Sequence, residues 1–168
     1  MHVAQSTVQT LVRYKAWADS IILPVFAMLP EAELVAPRLI HFGSIIRTLN
    51  HSRLMDLAWQ SHLLGKPHGL ATRNPVEHPP IGELIASQHA IDAWFVEHAD
   101  SLSCDRLGEV VEFEFIGGGA GAMSRAEIFL HVVNHATYHR GQATGLLYHL
   151  GIFPPATDLP VFLRGCRG

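Results

Sequence analysis

Four stretches of this chain repeat their apolar residues at the period of an α-helix, and each is bounded by residues that start or stop helices. The first carries Val8, Leu11, Val12, Trp17, Ile21, Ile22, Val25, Phe26 and Leu29, with Ser6-x-x-Gln9 as a capping box before it and Pro30 as its stop. The second starts near Ser44, carries Ile45, Ile46, Leu49, Leu54, Met55, Leu57 and Ala58, and breaks at Gly65-Lys66-Pro67. The third runs from Ile81 to His98 through Leu84, Ile85, Ile91, Trp94 and Phe95. The fourth follows the capping box Ser124-Arg125-Ala126-Glu127, extends from Arg125 to Leu150, and is stopped by Gly151, Pro154 and Pro155. Each helix must bury its apolar stripe against another, so the expected fold is an all-α four-helix bundle.

One segment breaks the helical rhythm. Val110, Val111, Phe113 and Phe115 interleave with Glu112 and Glu114 and run into Gly117-Gly118-Gly119, the pattern of a short β-hairpin or flap before the last long helix. Residues 67–80 read as a connecting loop, and Leu159 to Leu163 as a short segment packed across one end. Two long connections, second to third helix and third to fourth, could each cross the bundle, so the pattern leaves its topology open. A length of 168 residues with 48% hydrophobic side chains suits one domain, 1–168, with a single core.

The formal charge is −3 and the 12 Lys and Arg residues are scattered, which argues against nucleic-acid binding. Cys104, placed in a loop, and Cys166, near the end, form no CxxC and read as two unpaired thiols, fitting a reducing cytoplasm. The first residues lack the features of a secretory signal, and no apolar stretch reaches membrane-spanning length, so a soluble, cytoplasmic protein without a membrane partner is expected.

Inside the fourth helix, His131, His135 and His139 stand four residues apart. An i to i+4 step advances a helix by about 400° and about 6 Å, so neighbouring imidazoles point the same way and can converge on one ion. His131 and His139 are about 12 Å apart and cannot share it. The pairs His131/His135 and His135/His139 both remain open. A bundle completes such a site with a residue from a facing helix, and the candidates are His41, His51, His62, His89 and His98. His51, inside the second helix on or beside its inward stripe, is the best placed.

The segments Tyr14-Lys15-Ala16-Trp17-Ala18, Thr48-Leu49-Asn50-His51 and Asn134-His135-Ala136-Thr137-Tyr138-His139-Arg140-Gly141-Gln142, with the Asp158-Leu159-Pro160 tail, resemble the DinB/YfiT family of small metal-binding four-helix bundles. The resemblance spans nearly the whole chain. It implies a divalent ion held by His51, His135 and His139, which leaves His131 as a neighbour one turn away with a possible role beside the ion or substrate. Asn50 and Asn134 precede ligands and could orient them. Tyr138, Arg140 and Gln142 are further candidates for contact with a ligand, the tail or a substrate.

Three neutral imidazoles leave coordination positions open to water or a thiol, so hydrolysis and thiolate attack are both accessible to such a site. The metalloprotease base is absent, because Val132 and Ala136 follow His131 and His135 where HExxH needs Glu. Glu112 and Glu114 on the flap offer a general base or a solvated strand face. Catalytic residues are otherwise unassigned. Relatives in the family include transferases and isomerases that use bacillithiol, mycothiol or glutathione. The resemblance therefore implies a metal-dependent thiol S-transferase or isomerase acting on an electrophilic substrate, with a non-catalytic metal-binding stress-response module or a metal-dependent hydrolase as alternatives. Imidazole ligands suit Zn, Ni, Fe or Cu. The resemblance also implies a homodimer.

Overall fold

The computed structural model describes residues 3–167. The long helices are α1 (Val3–Ala27), α3 (Ile45–Leu63), α4 (Ile81–Ser101) and α6 (Arg125–His149). Between them lie short α2 (Glu31–Val35) and α5 (Cys104–Leu107), strands β1 (Val110–Glu114) and β2 (Ala120–Ser124), and a closing α7 (Leu159–Arg167). The all-α bundle with a hairpin before the last long helix is the fold found. Three details differ from expectation. Helix α1 is already under way at Val3, so Ser6 lies within it and is no cap. Cys104 opens α5 instead of sitting in a loop. Helices α2 and α5 span one turn each, too short to show a period in sequence.

The caps at the ends of the site-bearing helices act as their residues dictate. Ser44 accepts from the Arg47 amide and starts α3. Ser124 accepts from the Glu127 amide while the Glu127 carboxylate takes the Ser124 amide, a complete capping box that starts α6.

Side-chain pairs fix the topology that the sequence left open. Gln5 donates to the Leu102 carbonyl and Arg13 pairs with Asp100, so α1 and α4 are antiparallel. Arg125 donates to the Leu63 carbonyl while His135 and His139 meet His51, so α3 and α6 are antiparallel. Arg53 reaches Ser87 and Gln88 donates to Asp56, both helices advancing together, so α3 and α4 are parallel neighbours. Around the bundle the order is α1, α4, α3, α6. Parallel neighbours need a return connection as long as a helix. The 19 residues of α3 span about 28 Å, and residues 64–80 have ample extended reach to cover it. That connection passes the middle of the bundle, where the Arg73 carbonyl meets His51.

The core is in two parts. One apolar cluster, including Val12, Trp59, Phe95 and Phe129, fills the end nearest the hairpin; the other, including Ile22, Phe26, Ile46, Leu84 and Leu147, fills the opposite end. Tail helix α7 lays Phe162 against Tyr14 and Trp17. Between the clusters lies a buried polar layer.

Candidate metal centre

His51 on α3 and His135 and His139 on α6 point into this layer. The Nε2 atoms of His51 and His135 stand 3.2 Å apart, and those of His139 and His135 stand 3.0 Å apart. All three ligand atoms fall within 4.8 Å of one another. His51 Nδ1 lies 2.8 Å from the Arg73 carbonyl oxygen, which only accepts, so the proton sits on Nδ1 and Nε2 carries a lone pair. His139 Nδ1 donates in the same way to Gln142 Oε1 at 2.9 Å, freeing its own Nε2.

These contacts test whether a cation suits the site. His135 Nε2 faces two acceptors and can satisfy one at most with a proton; its Nδ1 is buried without a partner among the described residues. A proton on His135 Nε2 leaves one facing lone pair unanswered, and a proton on Nδ1 leaves three converging lone pairs, an arrangement that could hold a cation. Nitrogens each at roughly 2.0–2.1 Å from a divalent ion stand about 3.0–3.4 Å from one another, which brackets the two spacings observed.

Burial keeps these rings in the form that binds metal. Loss of solvent pushes His51 down to about 4, with the Arg73 carbonyl opposing and the charges of His139 and Arg73 adding to the effect. Burial, then His139 and His51, push His135 down to about 3. His139 is also lowered by burial, against the pull of Gln142. Neutral imidazoles at pH 7 are ligands ready to bind. The ring of Phe42 covers two of them, stacked on His51 with centroids 4.0 Å apart and tilted on His139 at 5.4 Å.

Below the histidines lies an ionic network. Lys15, fully buried, contacts Asp19 at 3.1 Å, Asp56 at 2.8 Å and Asp92. Burial opposes its charge, yet the three carboxylates more than offset that and hold it well above the ordinary lysine value. Burial raises Asp56 and pushes Asp92 up to about 7, with Lys15 pulling both back. Arg140 extends the network from α6, donating to Asp19 at 3.0 Å and to Tyr14 and Thr137.

The other residues singled out by sequence fall in different places. His131 lies beside the trio, its ring 5.5 Å from that of His135 and edge-on to Trp59 at 4.9 Å. Its basicity is lowered by burial, with Asp56 opposing. Asn50 accepts from Arg53 and does not orient His51, and Asn134 is exposed on the outer face of α6. Tyr138 is exposed with its ring 5.0 Å from His139. His41 packs edge-on against Phe42, His62 against Trp59, and His98 stacks on Trp94, while His89 is exposed. Glu112 and Glu114 are both exposed on β1, Glu114 at the rim of the space beneath the hairpin. Phe42, Arg73 and the Lys15 network were not anticipated. The network had a readable signal, since Lys15 and Asp19 continue the inward stripe of Val8, Val12, Ile22 and Phe26.

The centre is open on two sides. Beneath the hairpin lies a cavity of about 250 Å³, walled by Met55, Trp59, Phe113, Phe115 and Ile116, that reaches His51 and His135. On the other side a more polar groove of about 590 Å³, edged by His41, Thr72, Asn74 and Tyr138, reaches His51 and His139. Arg73 borders both. No described helix is long and apolar enough to cross a membrane.

Comparison with known proteins agrees with this architecture. The chain is 26% identical over 157 residues to Protein DinB of Bacillus subtilis strain 168, covering 91% of each. Its fold matches a crystal structure of a DinB-like protein from Bacillus cereus ATCC 10987 with a TM-score of 0.65 at 21% identity, over 86% of this chain and 91% of that one. The DinB family profile matches residues 1–166, and the chain therefore belongs to the DinB family.

Proposed function

We propose that this protein is a metal-dependent enzyme that activates a low-molecular-weight thiol and delivers it to an electrophile, as an S-transferase or isomerase does. The observation that carries the reading is the convergence of three neutral, lone-pair-bearing imidazoles at a centre approached from two sides. A sealed structural site has no use for a second approach.

A divalent ion held by His51, His135 and His139 would supply the positive charge that keeps a coordinated thiol ionised at neutral pH. The chain's own residues do the rest. The Arg73 carbonyl and Gln142 hold two of the rings in the required tautomer, and Phe42 excludes water from their faces. The polar groove suits a hydrophilic thiol and the apolar cavity suits the body of an acceptor, so the two reactants approach through separate openings that adjoin at Arg73 and His51. Zn, Ni and Fe all suit the donor set.

His135→Ala should abolish stoichiometric metal binding, measured by elemental analysis; undiminished content refutes the site. The thiol is tested by titrating glutathione and cysteine into cobalt-substituted protein. A near-ultraviolet charge-transfer band from thiolate to cobalt is the expected result. Retained cobalt with no band for either thiol refutes the thiol chemistry and leaves a metal module or hydrolase.

A further inference from the structure

The cavity beneath the hairpin has a distinct polarity. Its walls are mainly apolar, the rings of Trp59, Phe113 and Phe115 with Met55 and Ile116, which offer an uncharged body dispersion contacts, while the His62 and His131 rings also line it beside His51 and His135. A dry cavity of about 150 Å³ accepts benzene, so about 250 Å³ admits a ring with a short side chain, roughly ten heavy atoms in all. The Trp59 ring in this wall is held edge-on to both Phe113 and His131 at 4.9 Å.

Charge is confined to two of the bordering residues. Glu114, from the hairpin, is a carboxylate that repels an anion entering from the flap side. Arg73 lies where cavity and outer groove meet. Five other arginines (Arg13, Arg38, Arg106, Arg125 and Arg140) pair with carboxylates, and Arg47 and Arg53 donate to neutral side chains, whereas Arg73 forms no ion pair among the described residues. Its backbone is anchored as well, because its carbonyl is the acceptor for His51 Nδ1, and its side chain is exposed. One residue thus orients a candidate ligand through its backbone and offers an unused cation through its side chain. That cation is near enough to depress the basicity of His51.

We propose that the acceptor bound here is an amphipathic carboxylate, with an apolar, ring-sized body under the hairpin and its carboxylate on Arg73. A molecule so placed spans the edge of the cavity formed by His51 and His135, which puts its middle, the part to be attacked, beside the candidate metal centre. Arg73 presents a planar fork that matches a carboxylate in two parallel hydrogen bonds. The proposal rests on the enzymatic reading above for the role of this guest, though not for its binding.

Calorimetric titration of the zinc-loaded protein with 3-phenylpropionate, 3-phenylpropanamide and propionate tests it. The acid should bind at least tenfold more tightly than the amide, which lacks the charge, and than propionate, which lacks the body. Arg73→Gln keeps the backbone carbonyl and should erase the preference for acid over amide while metal content stays the same. Persistence of the preference in that variant would place the carboxylate on the ion and overturn the proposal. Equal affinity for propionate and 3-phenylpropionate, or no binding of either, overturns it too. Repeating the acid and amide titrations in His135→Ala protein, with and without Arg73→Gln, separates the two readings. A preference there that depends on Arg73 upholds the carboxylate site even if no thiol coordinates cobalt.

Discussion

The residue that holds a helical ligand in place is not its neighbour in sequence. Successive residues of a helix are rotated by about 100°, so Asn50 and Asn134 point away from the rings that follow them. Asn50 is spent on Arg53, and Asn134 faces solvent. Gln142 stands three residues after His139, on the same face, and is the one that accepts the Nδ1 proton. Helical spacing made His135 legible together with either His131 or His139, and the resemblance to the family, not the spacing, singled out His51, His135 and His139, the three that the fold brings together. Arg73 was not legible, because it acts on His51 through a carbonyl that every residue possesses. Gln142→Leu should leave the fold intact and weaken metal affinity roughly 10- to 100-fold, measured by competition with a chelator. An unchanged affinity would mean that packing under Phe42 alone orients His139. Lys15 is the other sensitive position. Lys15→Met leaves Asp56 and Asp92 buried without their cation, and urea denaturation should show a loss of about 3–5 kcal/mol.

At the scale of elements, the long helices announced themselves through period and caps, and the hairpin through a change of period followed by glycines. The fine position of the hairpin depends on something less visible. A Cβ on Gly121 would stand 2.6 Å from two ring carbons of Phe113, so the bare backbone of β2 is what lets that ring lie across the strand and meet Trp59 edge-on. Gly121→Ala should swing the Phe113 ring off Trp59. The pair contributes about 0.5–1.5 kcal/mol beyond its buried area, and the tryptophan fluorescence should change along with the small stability loss. An unaltered spectrum and midpoint would show that the ring relaxes without leaving its partner. The connection of residues 64–80 had no readable architecture, since it has neither helical nor strand period. Its course follows from a fact about the whole bundle, that α3 and α4 run in parallel and the chain has to return between them.

The whole molecule is two apolar halves joined by a charged waist, and its response to pH follows from that waist. In metal-free protein, His51 and His135 are depressed to about 4 and about 3, below the roughly 6.5 of an unfolded histidine. The unfolded chain then binds more protons than the folded one, so their stabilisation is full above pH 6.5 and is lost as pH falls toward 4 and then 3. His139 and His131 are lowered as well and act in the same sense. Asp92, raised to about 7, and Asp56, also raised, act oppositely, their contribution being lost as pH rises. More histidines than carboxylates are displaced, so the melting temperature of chelator-treated protein should climb from pH 4 to pH 7. An ion held by the three histidines would add to this by binding the native state alone, about 2.7 kcal/mol at a hundredfold excess over Kd, or roughly 5–10 °C for a chain of this size. Protons compete for the ligands only once the rings accept them. The gap in melting temperature between metal-loaded and chelated protein should therefore persist at pH 5.5, about one unit below the point where exposed histidines would have released the ion. A gap that closes near pH 6.5 would mean that burial does not hold these imidazoles neutral, and the three lone pairs would lose their claim to be ready-made ligands.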